Sequence, residues 1–290
     1  MKLLKNITVE LVNAFTAKGQ GGNPAGVVLN AAQLSDEQKL TIAQTVGYSE
    51  TAFVCEDDIA DYAVSFFTTA GEVDFCGHAT LAAFSIMFQK GLLKTGTYTQ
   101  HTKAGILPVV IESNGRVVME QQLPQKLARF SYQDIASYLG IESNVLGSTE
   151  LPIEVISTGL PDLIIPVPSG YLDILQPDHE KITQFCKAHD IIGFHVFELC
   201  DSNSSFTASC RNFAPLFGIP EESATGSASG ALACYLHEHL ALDSEYSFEQ
   251  GRAMNCSSLI TALVEVQSSL VNSVKVGGFA KSKGLMTVPI

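Results

Sequence analysis

The chain has 290 residues, 46% of them hydrophobic and 16% charged, enough apolar sequence for one large core or two smaller ones, and its length favours two domains. Seventeen Lys and Arg stand against 30 Asp and Glu, a net charge of -13, which excludes a broad basic surface for nucleic acid or an anionic membrane. Seven cysteines with no C-x-x-C pair exclude a zinc ribbon and argue against a disulfide framework; most are expected to be small buried apolar residues.

In chain order, the opening MKLLKNITVELVNAF is broken by Asn6, Thr8, Glu10 and Asn13, so no signal peptide is expected, and no later run is long enough to span a bilayer. A cytoplasmic location follows as the expectation. Residues 8–14 and 25–29 read as strands. Between them GQGGNPAG is glycine-rich, yet it lacks the G-x-G-x-x-G order and the Lys of a phosphate loop, so it reads as a turn. Ser35 and Gln38 have capping-box spacing ahead of Leu40, Ile42, Ala43 and Val46, which predicts a helix. Strands are expected at 51–55, 62–67, 107–111 and 117–120, and a helix over 79–89, free of breakers until Gly91.

The second half repeats this order. Residues 154–157, then Gly159 and Pro161, then an apolar run over 163–167, parallel residues 10–15, Gly22, Asn23, Pro24 and the run to Leu29. FFTTAGEVDFCGHATLAAF has its counterpart in NFAPLFGIPEESATGSASGALACYL: a Phe-containing strand, a short loop, then small residues opening an Ala-rich helix. The expected division is 1–122 with 280–290 for one domain and 123–279 for the other, the crossover lying near Gln121 to Gln125.

Small residues at a helix start let a ligand approach the unpaired first-turn amides, whose partial positive charge favours an anion. Gly77-His78-Ala79-Thr80 and Thr225-Gly226-Ser227-Ala228 meet that requirement, so two such starts would clamp a carboxylate. Cys76 beside the first start is a candidate nucleophile or acid/base thiol, or simply a buried cysteine. Metal ligation is not indicated by histidine spacing: His237 and His239 are two apart and do not share a helix face, and they read as solvated helix-end residues.

GNPAGVVL (22–29), SETAF (49–53), EVDFCGHAT (72–80) and RNFAP followed by EESATGSASGALACYL, with KVGGFA near the end, resemble the successive signatures of the phenazine-biosynthesis PhzF-like isomerase family. The resemblance covers most of the chain. It implies an α/β fold like that of diaminopimelate epimerase: two pseudo-equivalent domains, each a barrel-like mixed sheet around a central helix, with the active site in the cleft between them. It also implies a homodimer and proton transfer between carbons of an unsaturated carboxylic acid without metal or organic cofactor. Glu50 of the S-E-T motif would be the general acid/base. A carboxyl group in a desolvated cleft suits that task. By the same resemblance His78, Glu222 and Ser227 would position substrate; Asn23 is a weaker contact candidate, and the helix-start reading adds Cys76 and Thr225 as contacts and the amides of Gly77 and Gly226 to hold the substrate's carboxylate.

The chain departs from the family's usual E-D-P-A-T-G-S-A at Glu222 and Ser223, where Asp and Pro are usual. The carboxylate sits one methylene further out and the loop loses its proline. Bland alternatives are helix capping for His78 and Ser227 and turn chemistry for Asn23. Two rival readings stay open: a racemase or epimerase pairing Cys76 with a carboxylate, and a non-catalytic small-anion-binding protein. A two-thiol racemase is disfavoured, because the second cluster holds Ala224 and Thr225 where a cysteine would be needed.

Overall fold

A computed structural model describes residues 6–242 and 244–290; residues 1–5 of the opening stretch lie outside the described residues. The chain divides into two compact units, one running to Glu120 and resumed at Gly277–Ile290, the other Gln121–Val276.

The first unit contains β1 (Asn6–Ala14), β2 (Asn23–Leu29), α1 (Asp36–Val46), β3 (Glu50–Glu56), β4 (Tyr62–Phe67), β5 (Glu72–Val73), α2 (Gly77–Gln89), β6 (Gly96–Thr102), β7 (Gly105–Ile111) and β8 (Val117–Glu120). The second contains β9 (Gln125–Phe130), α3 (Tyr132–Leu139), α4 (Ser143–Gly147), β10 (Ile153–Ser157), β11 (Pro161–Pro166), α5 (His179–His189), β12 (Gly193–Leu199), β13 (Ala208–Ala214), β14 (Ile219–Glu222), α6 (Gly226–Leu240), β15 (Glu245–Gln250) and β16 (Ser258–Gln267). The last strands are β17 (Leu270–Gly278) and β18 (Ala280–Pro289), and β18 pairs antiparallel with β1.

Strand pairing shows that the two halves share one plan. In the first unit β1 runs antiparallel to β2, β2 parallel to β3, β3 antiparallel to β4, and β4 antiparallel to β5 but parallel to β6, which turns into antiparallel β7. In the second, β10, β11, β12, β13, β14, β15 and β16 repeat that series with the same directions. Each parallel pair needs a crossover, supplied by α1 and α2 in one half and by α5 and α6 in the other.

The two kinds of helix differ in pattern and therefore in place. From His78 to Met87 every residue of α2 is buried, and so is every residue of α6 from Ala228 to Leu236. Helices apolar all round belong inside, and the alanines let the surrounding strands close on them. α2 packs on β1, β2, β3, β7, β8 and β18, and α6 on β10, β11 and β16, so each unit is a mixed sheet wrapped on a central helix. α1 buries only Ile42 and Ala43, and α5 only Ile182, Phe185 and Cys186, each against the outer face of its sheet. The predicted capping box of α1 forms: the Ser35 hydroxyl accepts from the Gln38 amide, and the Gln38 side chain accepts from the Ser35 amide. Four of the seven cysteines, 76, 186, 210 and 234, are buried.

Candidate active site

In the first unit the site is assembled from the starts of β2, β3 and α2. Gly22 has φ +89°, and a Cβ there would stand 2.6 Å from the Ala14 carbonyl oxygen, so only glycine lets the chain turn tightly into Asn23, the buried first residue of β2. Two residues on, Ala25 is the register partner of Glu50, which opens β3, and Gly26 allows close approach because a Cβ would meet the Thr51 hydroxyl at 2.7 Å.

Glu50 and the start of α2 come together. His78 Nε2 stands 3.3 Å from Glu50 Oε2, and His78 Nδ1 stands 3.4 Å from the thiol of Cys76. The Glu50 side chain is 14% exposed, yet Oε2 is buried and has no hydrogen-bond partner: His78 is at ion-pair distance without donor geometry. A carboxylate oxygen in that state is desolvated, with lone pairs left open to a substrate proton. Ligand-type atoms of Glu50, Cys76 and His78 lie within 4.8 Å of one another, so the same three groups have the reach to hold a divalent cation.

The two helix starts are built alike. Cys76 and Thr225 are the N-cap residues of α2 and α6, both in extended backbone conformation, and neither gives a side-chain cap. No acidic residue occupies the first turn of either helix, whereas α1 carries Asp36 and Glu37 there. The first-turn amides at Gly77 and Gly226 therefore keep their dipole charge for an anion. Ser227 does not cap α6, against the capping alternative; it lies in the first turn, half-buried, its carbonyl accepting from the Thr158 hydroxyl. His78 likewise follows the cap rather than forming it.

In the second unit Glu222 ends β14, and its carboxylate accepts from the Thr225 hydroxyl. The longer side chain is thus turned back onto its own loop. Ser223, standing where proline is usual, is buried under Gly251, whose φ of +88° carries the chain past it. The residue that sequence reasoning missed is Gln250. Fully buried at the end of β15, it donates to the Glu222 carbonyl (2.7 Å) and the Thr225 hydroxyl (3.0 Å) and accepts from the Thr225 amide (3.1 Å). No local motif marks a glutamine that far downstream of the loop it holds.

One expectation is corrected outside the site. His239 is not solvated: Nε2 pairs with Glu154 at 2.8 Å, and Arg129 grips the other oxygen of that carboxylate at 2.6 Å. Among the described residues no helix is long and apolar enough to cross a membrane.

Comparison with known proteins agrees with the topology. The sequence model of a family described as phenazine biosynthesis-like protein matches residues 12–283. An uncharacterized isomerase of Clostridium acetobutylicum is 33% identical, with 96% of each chain covered. The trans-2,3-dihydro-3-hydroxyanthranilate isomerase of Pseudomonas chlororaphis is 28% identical over 96% of this chain and 98% of its own. The crystal structure of a Bacillus anthracis phenazine biosynthesis protein of the PhzF family superposes with a TM-score of 0.89 at 31% identity, covering 99% of this chain and all of that one. The repeated sheet plan, the two uncapped helix starts and these matches lead to one conclusion: the chain is an isomerase belonging to the phenazine biosynthesis-like protein family.

Proposed function

We propose that the enzyme moves a proton between carbons of a small unsaturated carboxylic acid, without metal or organic cofactor, by general acid/base catalysis at Glu50. The observation that carries this reading is the buried Oε2 of Glu50, which has no hydrogen-bond donor and stands 3.3 Å from the imidazole of His78. Ionised Glu50 takes a proton from carbon, and the electron pair left behind delocalises through the double bond. The same carboxyl group, now an acid, returns the proton to a second carbon as the double bond shifts, so atoms and electrons balance without a redox partner. His78 hydrogen-bonds substrate and steadies Glu50. In this reading the amides at Gly77 and Gly226 are carboxylate-holding groups, and Asn23, Cys76, Glu222, Thr225 and Ser227 are substrate-orienting ones. The proposal includes a cytoplasmic homodimer, which sedimentation and cell fractionation would check.

The test is proton NMR in heavy water on trans-2,3-dihydro-3-hydroxyanthranilate, the compound named for the Pseudomonas chlororaphis relative, and on a panel of unsaturated and amino-substituted carboxylic acids. Wild type should exchange or shift a carbon-bound proton, and Glu50→Gln should lose about 10²–10⁴ of that rate. Equal rates for both would remove Glu50 as the base.

A second reading has its own observation, the Cys76 thiol 3.4 Å from His78 Nδ1. A thiol so placed can exchange a proton with the ring and act as the acid/base of an epimerase, paired with Glu50 across His78. Cys76→Ala would then abolish exchange, while on the first reading it leaves most of the rate. Binding of panel compounds with no exchange in any variant would favour the anion-binding alternative.

A further inference from the structure

Three side chains of different chemistry meet at the start of α2. Glu50 opens β3, Cys76 is the extended N-cap residue of α2, and His78 is the second residue of the helix. The Cys76 sulfur lies 3.4 Å from His78 Nδ1 and 4.0 Å from His78 Nε2, and Nε2 in turn lies 3.3 Å from Glu50 Oε2. One ligand atom from each residue stands within 4.8 Å of those of the other two. Cys76 and His78 are buried, and Glu50 Oε2 is buried with no hydrogen-bond partner, the state in which an oxygen gains most from a cation.

A thiolate, an imidazole and a carboxylate form the donor set of zinc, whereas magnesium and calcium take oxygen ligands. Zinc bound tetrahedrally at about 2.0–2.3 Å sets its donors about 3.3–3.6 Å apart. Nε2 to Oε2, at 3.3 Å, already fits that spacing, and Nε2 to the sulfur, at 4.0 Å, has about 0.5 Å to close. Three protein ligands leave the fourth position to water. Glu50 and the Cys76 thiolate supply two negative charges, which offset both charges of the ion and outweigh the partial positive charge of the α2 start. The net charge of -13 raises the local concentration of cations.

The second unit, built on the same plan, lacks this set. Gly193 on β12 pairs with Asp162 on β11 as Glu50 on β3 pairs with Ala25 on β2, each at the start of its parallel pair. Thr225 and Ser227 take the places of Cys76 and His78 at the start of α6. A glycine and two hydroxyls do not make a zinc site, so one ion per chain is the expected stoichiometry. Among the described residues no other three His, Cys, Asp or Glu side chains gather their ligand atoms so closely.

We propose that Glu50, Cys76 and His78 form a site for a single zinc ion, and that the bound ion holds the enzyme inactive. Binding forms bonds from zinc to Glu50 Oε2, His78 Nε2 and Cys76 Sγ; the thiol proton leaves to solvent, and nothing is oxidised or reduced. Glu50 then gives to the ion the lone pair that proton abstraction needs, and the imidazole of His78 is fixed with it. The site rests on this geometry alone; the inhibition rests on the function proposed above.

Cobalt(II), a coloured substitute for zinc, tests the site without any substrate. Titrated into reduced wild-type protein, it should saturate at one ion per chain, with the visible bands of a tetrahedral centre and a thiolate-to-cobalt charge-transfer band, and one equivalent of zinc should erase both. Cys76→Ser should lose the charge-transfer band and, in competition with a zinc indicator dye, about 10²-fold or more in zinc affinity; His78→Gln should lose as much affinity. Cys55→Ser, at a partly exposed thiol, should bind metal as wild type does. Failure of wild type to bind one ion, or a charge-transfer band that survives Cys76→Ser, overturns the site; the first measurement decides even where a variant fails to fold. With a compound that exchanges, zinc should stop exchange and a chelator should restore it, and Cys76→Ser should need about 10²-fold more zinc to lose half of its remaining rate. Zinc that occupies the site yet leaves the rate unchanged, or raises it, overturns the inhibition. Absence of exchange with every compound counts against the proposed function and the inhibition with it, while the metal titrations still decide the site.

Discussion

Replacing Gln250 with leucine tests how the second-unit loop is held. Leucine nearly preserves the volume of the fully buried side chain but removes its two donated bonds, to the Glu222 carbonyl and the Thr225 hydroxyl, and the one it accepts from the Thr225 amide. Each polar group left unsatisfied in a buried setting costs about 1–3 kcal/mol. Thr225 is only half-buried and keeps its bond to Glu222, so part of that penalty is recovered from water. Burying leucine in place of an amide returns roughly another 1 kcal/mol, leaving a net loss of about 2–3 kcal/mol. For a unit of this size that lowers Tm by roughly 5–10 °C. The assays are thermal unfolding and hydrogen exchange at the Thr225 amide, which should lose protection. With an active compound, KM should rise more than kcat falls, because Glu222 and Thr225 position rather than react in the function proposed here. A Tm within about 1 °C of wild type and a still-protected Thr225 amide would refute the argument that Gln250 holds the loop.

Further predictions concern buried titratable groups. Burial pushes the ring of His195 down to about 4, partly offset by its bond to Asn212, so the unfolded chain, with His near 6.5, binds the extra proton first as pH falls. Stability is then fully present above pH 6.5 and lost at about 1.4 kcal/mol per pH unit down to about 4, roughly 3 kcal/mol in all. Urea unfolding of wild type and His195→Asn across that range should give curves that diverge toward acid, and parallel curves would show that His195 is not buried neutral. Asp162 contributes with the opposite sign: its raised folded value means stability is present below pH 3.9 and is lost as pH rises, so Asp162→Asn should gain relative stability toward neutral pH. Burial raises the thiols of Cys186 and Cys234 to about 12 and holds that of Cys210 well above its ordinary value, so a thiol reagent at pH 8 should label the partly exposed Cys55, Cys200 and Cys256 first. Mass spectrometry that found Cys186 or Cys210 among the fast sites would contradict the packing.

The amino-acid sequence alone carried the local and the repeated features of this protein. Alternation at 8–14 and 62–67, the Ser35 capping box and the breaker-free run before Gly91 became β1, β4, α1 and α2, because each is decided by residues within a few positions of one another. The duplication was legible for the same reason, as order along the chain. β6 was not, since GTYTQHT has no apolar alternation; it is a strand because β7 pairs along its whole length and β4 at one end. The site divides in the same way. Glu50, His78 and Thr225 lie in short motifs, and their residue types showed in sequence. That Glu50 Oε2 is stripped of donors beside His78, that Gln250 reaches back to Glu222 and Thr225, and that Asp162 is fully buried with neither oxygen partnered depend on which strands become neighbours. Sheet pairing joins residues far apart in the chain, β1 with β18 among them, and burial then sets the surroundings of their side chains; neither exists until the chain has folded.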